Sequence, residues 1–268
     1  MKKRTDFVTN SSSASFVLEL TLESDEGKTA TYELAVSEET CFSEDGEMTA
    51  SGISLTPTER DGKVYFGNEP FSKENSIEEL AEKMLSAAIV DGWPADDPEE
   101  DSEDFDEDFD GLSVPASEIA PKTMGTFVRN CKENGISPDN ISRIVVRNMR
   151  IGRGESAVFV EDSDLKDALA EEAKRRGLPY STREERIESG VEIMKSNPKV
   201  EISDNDGEIE APLPVEYEGF DDGLESLVES VEDGSGRGYL MGIHSTEHEV
   251  DPKNGKVSSR EIVRLGEI

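Results

Sequence analysis

The order of apolar patterns along this chain predicts an α+β fold, an antiparallel β-meander with hairpins covered by three helices and followed by a smaller acidic C-terminal region. Three observations predict it. Alternating apolar runs come first, runs of helical period follow them, and long stretches without Lys or Arg interrupt and succeed both.

Phe16, Leu18, Leu20 and Leu22 alternate with Val17, Glu19, Thr21 and Glu23, the pattern of a half-buried strand. Ser24-Asp25-Glu26-Gly27 then turns the chain into a second alternating run through Tyr32, Leu34 and Val36, so a hairpin is expected. Asp61-Gly62 separates Ile53 and Leu55 from Val64-Tyr65-Phe66 and suits a two-residue turn with positive φ. Residues 16 to 66 therefore read as one antiparallel meander. Ser76 and Glu79 have capping-box spacing, and Ile77, Leu80, Ala81, Met84, Leu85 and Ala88 form one apolar stripe. A second helix runs from near Pro121 to Gly135, with Met124, Phe127, Val128 and Cys131 on its inner side, where Cys131 serves packing. Ile141 to Met149 and Ala157 to Val160, joined through Gly152-Arg153-Gly154, read as another hairpin, and Ser163 to Arg176 as a third helix stopped by Gly177.

These elements set the expected domains: a flexible leader over residues 1–13, an α+β domain over 14–176 with an acidic disordered insertion at about 91–118, and an acidic C-terminal region over 177–268. The last region holds a helix at Leu224, Leu227, Val228 and Val231, and strands around Tyr239 to Val250 and Val257 to Leu265. It reads either as a small second unit or as strands returning to the first sheet. Ala211-Pro212-Leu213-Pro214 reads as linker.

The 28 basic and 62 acidic residues give a formal charge of −34 over 268 residues. Phosphate backbones and anionic lipid surfaces demand clustered Lys and Arg, so direct nucleic-acid binding and membrane association are disfavoured. There is no apolar run of secretory-signal length and no stretch long enough to span a bilayer, which points to the cytoplasm. Two cysteines, Cys41 and Cys131, make no disulfide framework.

The segment Arg4-Thr5-Asp6-Phe7-Val8-Thr9-Asn10-Ser11-Ser12-Ser13-Ala14-Ser15-Phe16 resembles an N-terminal segment shared by many short uncharacterised bacterial proteins. The resemblance implies no assigned activity. Core building and helix capping do not dictate that order of residues, so the segment is expected to be recognised in its own right.

Two motifs touch metal chemistry. His244-Ser245-Thr246-Glu247-His248 fits the H-x-x-E-H pattern of inverted zinc peptidases, which needs a helix to bring residues four apart together. Its neighbours Gly242, Ile243, Ser245, Thr246 and Val250 favour extended chain, on which such residues stand about 13 Å apart. Asp106, Asp108 and Asp110 followed by Gly111 reproduce the opening of a calcium loop, but position twelve is Ser117 and Pro115 opposes the exiting helix. Asn254-Gly255 reads more simply as a hairpin turn than as part of a second such loop.

A basic cluster, Arg143, Arg147, Arg150 and Arg153 with Lys174-Arg175-Arg176, stands against the acidic background. An acidic chain is expected to satisfy these groups itself. With only two histidines, no nucleophile and base can be paired from the sequence, and no cofactor is called for. The function expected is that of a non-enzymatic cytoplasmic protein acting through a basic protein partner. A zinc-dependent hydrolase using His244, Glu247 and His248 is the competing expectation, and weak calcium binding by the acidic segment a third.

Overall fold

The computed structural model describes residues 15–37, 48–94, 112–119, 121–151, 158–196, 200–202, 213–217, 219, 221–234 and 239–265. The chain divides into two compact units, Ser13–Ile151 with Thr246–Arg260, and Gly152–Ser245 with Glu261–Ile268.

In the first unit, β1 (Ser15–Ser24) and β2 (Thr29–Ser37) form the expected hairpin, with Leu18 opposite Leu34 and Leu20 opposite Tyr32. The even-numbered residues of both strands are buried, as the alternation requires. The single meander expected over residues 16 to 66 does not form. β3 (Met48–Ser54) pairs not with β2 but with the later β7, and β4 (Pro57–Arg60), β5 (Lys63–Phe66) and β6 (Glu69–Pro70) make a small sheet of their own. Local alternation sets which face of a strand is buried and leaves its partner open. The Asp61-Gly62 turn is as expected, with φ of 51° and 68°.

Helix α1 (Ile77–Ala87) opens on the full capping box, the Ser76 hydroxyl accepting from the Glu79 N–H and the Glu79 carboxylate from the Ser76 N–H. Its stripe Ile77, Leu80, Ala81, Met84 and Leu85 is buried. Next, β7 (Ile89–Pro94) pairs with β8 (Leu112–Pro115), so the ends of the insertion placed at 91–118 are ordered, and the short α2 (Ala116–Ile119) follows. Helix α3 (Pro121–Glu133) packs on β2 and α1 and ends where Ile136 N–H reaches the Cys131 carbonyl, with Gly135 at φ 67°. After a 3₁₀ turn at Pro138–Asn140, β9 (Ile141–Ile151) pairs antiparallel with β1. The unit's core joins Phe16, Leu18, Leu20, Leu22, Phe66 and Phe127.

In the second unit, β10 (Val158–Glu161) leads into α4 (Asp162–Arg176), which stops at Gly177 with φ 72°. A helix the apolar pattern did not announce follows, α5 (Arg183–Lys195), capped by Thr182 and Glu185. Then come β11 (Val200–Ile202), β12 (Leu213–Tyr217) and α6 (Asp221–Asp233). The supposed linker Leu213-Pro214 is thus strand, with Leu213 and Val215 buried. Helices α4, α5 and α6 pack on one another over a core of Leu165, Leu169, Ile193, Val215, Leu224 and Val263. Six helices stand among the described residues where four were expected, α2 and α5 being the additions, and α4 covers β10 and β11 of this unit instead of the first meander.

The long hairpin β13 (Tyr239–Asp251) and β14 (Lys256–Leu265) turns through Asn254 and Gly255, the latter at φ 66°. It serves both units. Thr246–Arg260 belongs with the first, where β13, β9, β1 and β2 lie side by side in that order. The remaining halves belong with the second, where β11, β12, β14 and β13 follow one another and β10 pairs with β13 at Tyr239 to Gly242. The hairpin expected between β9 and β10 is therefore replaced by pairing of β10 with β13. The sheets are mostly antiparallel, and β12 and β14 run parallel. The sheets and helices are segregated as in an α+β protein.

Candidate functional site

His244, Glu247 and His248 all lie on extended chain in β13. Glu247 therefore points away from the face that carries both histidines, and positions four apart on a strand are about 13 Å apart, too far for two imidazoles to share one zinc. The His248 Nδ1 pairs with the Ser259 hydroxyl at 2.7 Å, and the His244 Nε2 stands 3.6 Å from a Glu261 oxygen. The Nε2 atoms of both histidines are buried without a hydrogen-bond partner. Burial pushes the His248 imidazole below its ordinary value. Among the described residues no three His, Cys, Asp or Glu side chains converge as metal ligands. Asp106, Asp108 and Asp110 lie outside the described residues.

Glu247 is the centre of a different arrangement. Its carboxylate is 2% exposed and takes a hydrogen bond from Arg147 Nε at 2.7 Å on one oxygen and from Arg260 Nη2 at 2.7 Å on the other. Arg147 also donates to Glu19 at 2.9 Å. Glu19, Arg147, Glu247 and Arg260 thus form an alternating chain of charge across β1, β9, β13 and β14. Alternation along each strand puts Glu23 and Arg143 on the same face, where Arg143 meets Glu249 at 2.8 Å and Glu23 at 3.6 Å. Burial raises the Glu247 carboxyl, and the two guanidiniums more than offset it, holding it down at about 2. A carboxylate so held stays ionised and is a weak base, ill suited to taking a proton from water near neutral pH.

The second unit uses its cations likewise. Glu172 accepts from Arg175 and Arg176, which draw its carboxyl down to about 2. Arg183 forks onto Asp233 at 2.8 and 2.6 Å, and Arg186 reaches Glu232 at 2.6 Å. These last pairs join the first turn of α5 to the last turn of α6, whose dipole gains nothing from its own acids. The basic cluster expected from sequence is accordingly distributed into ion pairs: Arg143 and Arg147 on carboxylates of β1 and β13, Arg175 and Arg176 on their own helix. Arg150 lies 6.0 Å from the Phe16 ring centroid, and Arg153 is outside the described residues. Sequence reasoning missed Glu19 and Arg260; the i, i+2 and i, i+4 charge alternation on the strands was the only signal.

A groove of about 360 Å³ runs between β2 and α3, lined by Thr31, Tyr32, Glu33, Thr123, Phe127 and Asn130 among others. Tyr32 and Phe127 form its floor with rings 5.7 Å apart at 66°. The Thr123 hydroxyl donates to the Tyr32 oxygen at 3.1 Å, and burial raises the Tyr32 phenol despite that bond. Cys131, buried on the inner side of α3, has its thiol pushed up to about 11 by burial and is inert packing. No described helix is long and apolar enough to cross a membrane. Comparison with family models, with curated proteins and with solved structures finds no match to this chain.

Proposed function

We propose that this chain is a non-enzymatic cytoplasmic protein that works by binding a basic surface on a protein partner. The observation that supports the reading is where the cations go. Arg143 and Arg147 of β9 and the arginines of α4, α5 and β14 are paired with the protein's own carboxylates, while acids fill exposed positions such as Glu184, Glu188 and Glu192, one turn apart along α5. With −34 of formal charge, the field that reaches a partner is negative, and it speeds encounter with cationic surfaces. Arginines already held by carboxylates are poor phosphate ligands, so nucleic acid is not the partner this arrangement favours.

The test is a pull-down from the native cell lysate with the purified chain as bait, at low and high salt, beside an unrelated protein of equal net charge. A basic protein retained by this chain, lost at high salt and absent from the control, is the expected result. Recovery of nothing beyond the control at either salt overturns the proposal.

A further inference from the structure

The open edge of β2 is the feature of the first unit that nothing above accounts for. β2 is the last strand of its sheet, nine residues long, and among the described residues it pairs only with β1. Natural edges are blunted by proline, lysine, bulges, shortness or a covering element; β2 has none of the first four, and α3 packs on it while leaving the groove beside Thr31 and Glu33 open. Its one guarded point is Thr29, whose carbonyl accepts from the Asn134 side-chain amide at 3.1 Å. That bond fixes the direction of the whole edge. Within an antiparallel strand the N–H and C=O of one residue point the same way and those of its neighbours point oppositely. Thr31, Glu33 and Ala35 therefore turn both backbone groups outward alongside Thr29.

We infer that this edge accepts an extended basic segment of the partner as an added antiparallel strand, with α3 forming the far wall of the slot. Alternation dictates the segment's chemistry. Residues opposite Thr31, Glu33 and Ala35 share the face on which Glu33 is exposed, and a Lys or Arg opposite Glu33 makes a favourable cross-strand pair. Intervening residues enter the groove on the Tyr32 face, where the aromatic floor and the Thr123 side chain suit a small hydroxyl or apolar group. Lys122, which also lines that groove, disfavours a second cation there. Backbone pairing supplies affinity and the alternate pockets supply selectivity. This inference rests on the proposed binding of a basic partner and assigns that binding a place.

The experiment uses the full chain and an acetylated nine-residue peptide of alternating Lys and Thr, with the same peptide N-methylated at every lysine nitrogen and a Glu-for-Lys version beside it. Amide hydrogen exchange is read by NMR. The Lys-Thr peptide is expected to slow exchange at Thr31, Glu33 and Ala35 at least tenfold and the other two peptides to leave it unchanged. Glu33→Pro, which removes the outward N–H together with the carboxylate and leaves the bonds to β1 in place, is expected to abolish binding; Glu33→Lys, an exposed substitution that keeps the backbone N–H and reverses the charge, is expected to weaken it at least tenfold. Equal binding of the methylated peptide, or binding that survives in both variants, overturns the β2 site while leaving the basic-partner reading in place. Absence of binding by the Lys-Thr peptide also overturns the β2 site, and a partner recovered in the pull-down would then have to bind elsewhere.

Discussion

Asn148 holds Leu55 by both ends of its side-chain amide, accepting from the Leu55 N–H at 2.9 Å and donating to the Leu55 carbonyl at 3.2 Å. One side chain thus does what a neighbouring strand does, and it anchors the chain between β3 and β4 against β9. Asn148→Asp keeps the size and loses the donor, leaving a buried carbonyl facing a carboxylate. A loss of about 2 kcal/mol is expected, read as a lower urea midpoint at pH 7 with unchanged m-value.

Glu247 links stability to pH. Its folded carboxyl lies near 2 against an ordinary 4.5, so the stabilisation is complete above the ordinary value and fades as pH falls from there through about 2. Urea unfolding between pH 6 and pH 2 should show that decline. Glu247→Gln should flatten it and cost about 3 kcal/mol at pH 7, because two guanidiniums lose their shared partner.

His248 adds a separate dependence at higher pH. Its folded value is depressed, so the unfolded chain binds a proton first as pH falls below the ordinary 6.5, and stability drops until the folded imidazole protonates in turn. An NMR titration should place the His248 midpoint below that of a histidine in an unfolded peptide, and His248→Asn should remove the step in the pH–stability curve.

Gly255 is fixed by its neighbour as well as by its φ of 66°. A Cβ there would sit 1.9 Å from the Gly62 carbonyl oxygen, turn against turn. Gly255→Ala is expected to cost about 2 kcal/mol or more, since backbone has to move to admit the methyl. Thermal unfolding followed by circular dichroism measures it.

Gly190 plays the same part between helices. A Cβ would approach Val228 Cγ1 to 2.7 Å, so α5 and α6 meet through the absence of a side chain. Gly190→Ala should destabilise by about 1–3 kcal/mol despite alanine's better helix propensity, and Gly190→Ala with Val228→Ala should recover part of the loss in a double-mutant cycle.

Gly190 also explains what the sequence left unread. A glycine in mid-helix and arginines at 183 and 186 blur the apolar stripe of α5, and the capping spacing of Thr182 and Glu185 that opens it was not read. Where signals are local, reading succeeded: the Ser76 cap, the Asp61-Gly62 turn, the β1 and β2 alternation and the Gly177 stop all stand. Partners are the part that periodicity does not carry. β3 finds β7, β10 finds β13, and Arg147 finds Glu19 and Glu247, choices made by burial and charge over long separations. The H-x-x-E-H letters were legible as strand, but that Glu247 is clasped by two arginines was not, because Arg147 stands 100 residues away and Arg260, 13 residues on, meets it only through the register of the hairpin.

The division of the β13–β14 hairpin between the two units has a consequence for synthesis. Arg147 and Glu247 are 100 residues apart, so β9 leaves the ribosome long before the strand that flanks it exists. Until then the nascent chain carries an uncovered sheet margin on which Arg147 has Glu19 but not yet Glu247. Pairings of such range close slowly and expose edges meanwhile. The acidic residues translated between the two strands give that waiting intermediate a negative charge, and like-charge repulsion works against its association with copies of itself.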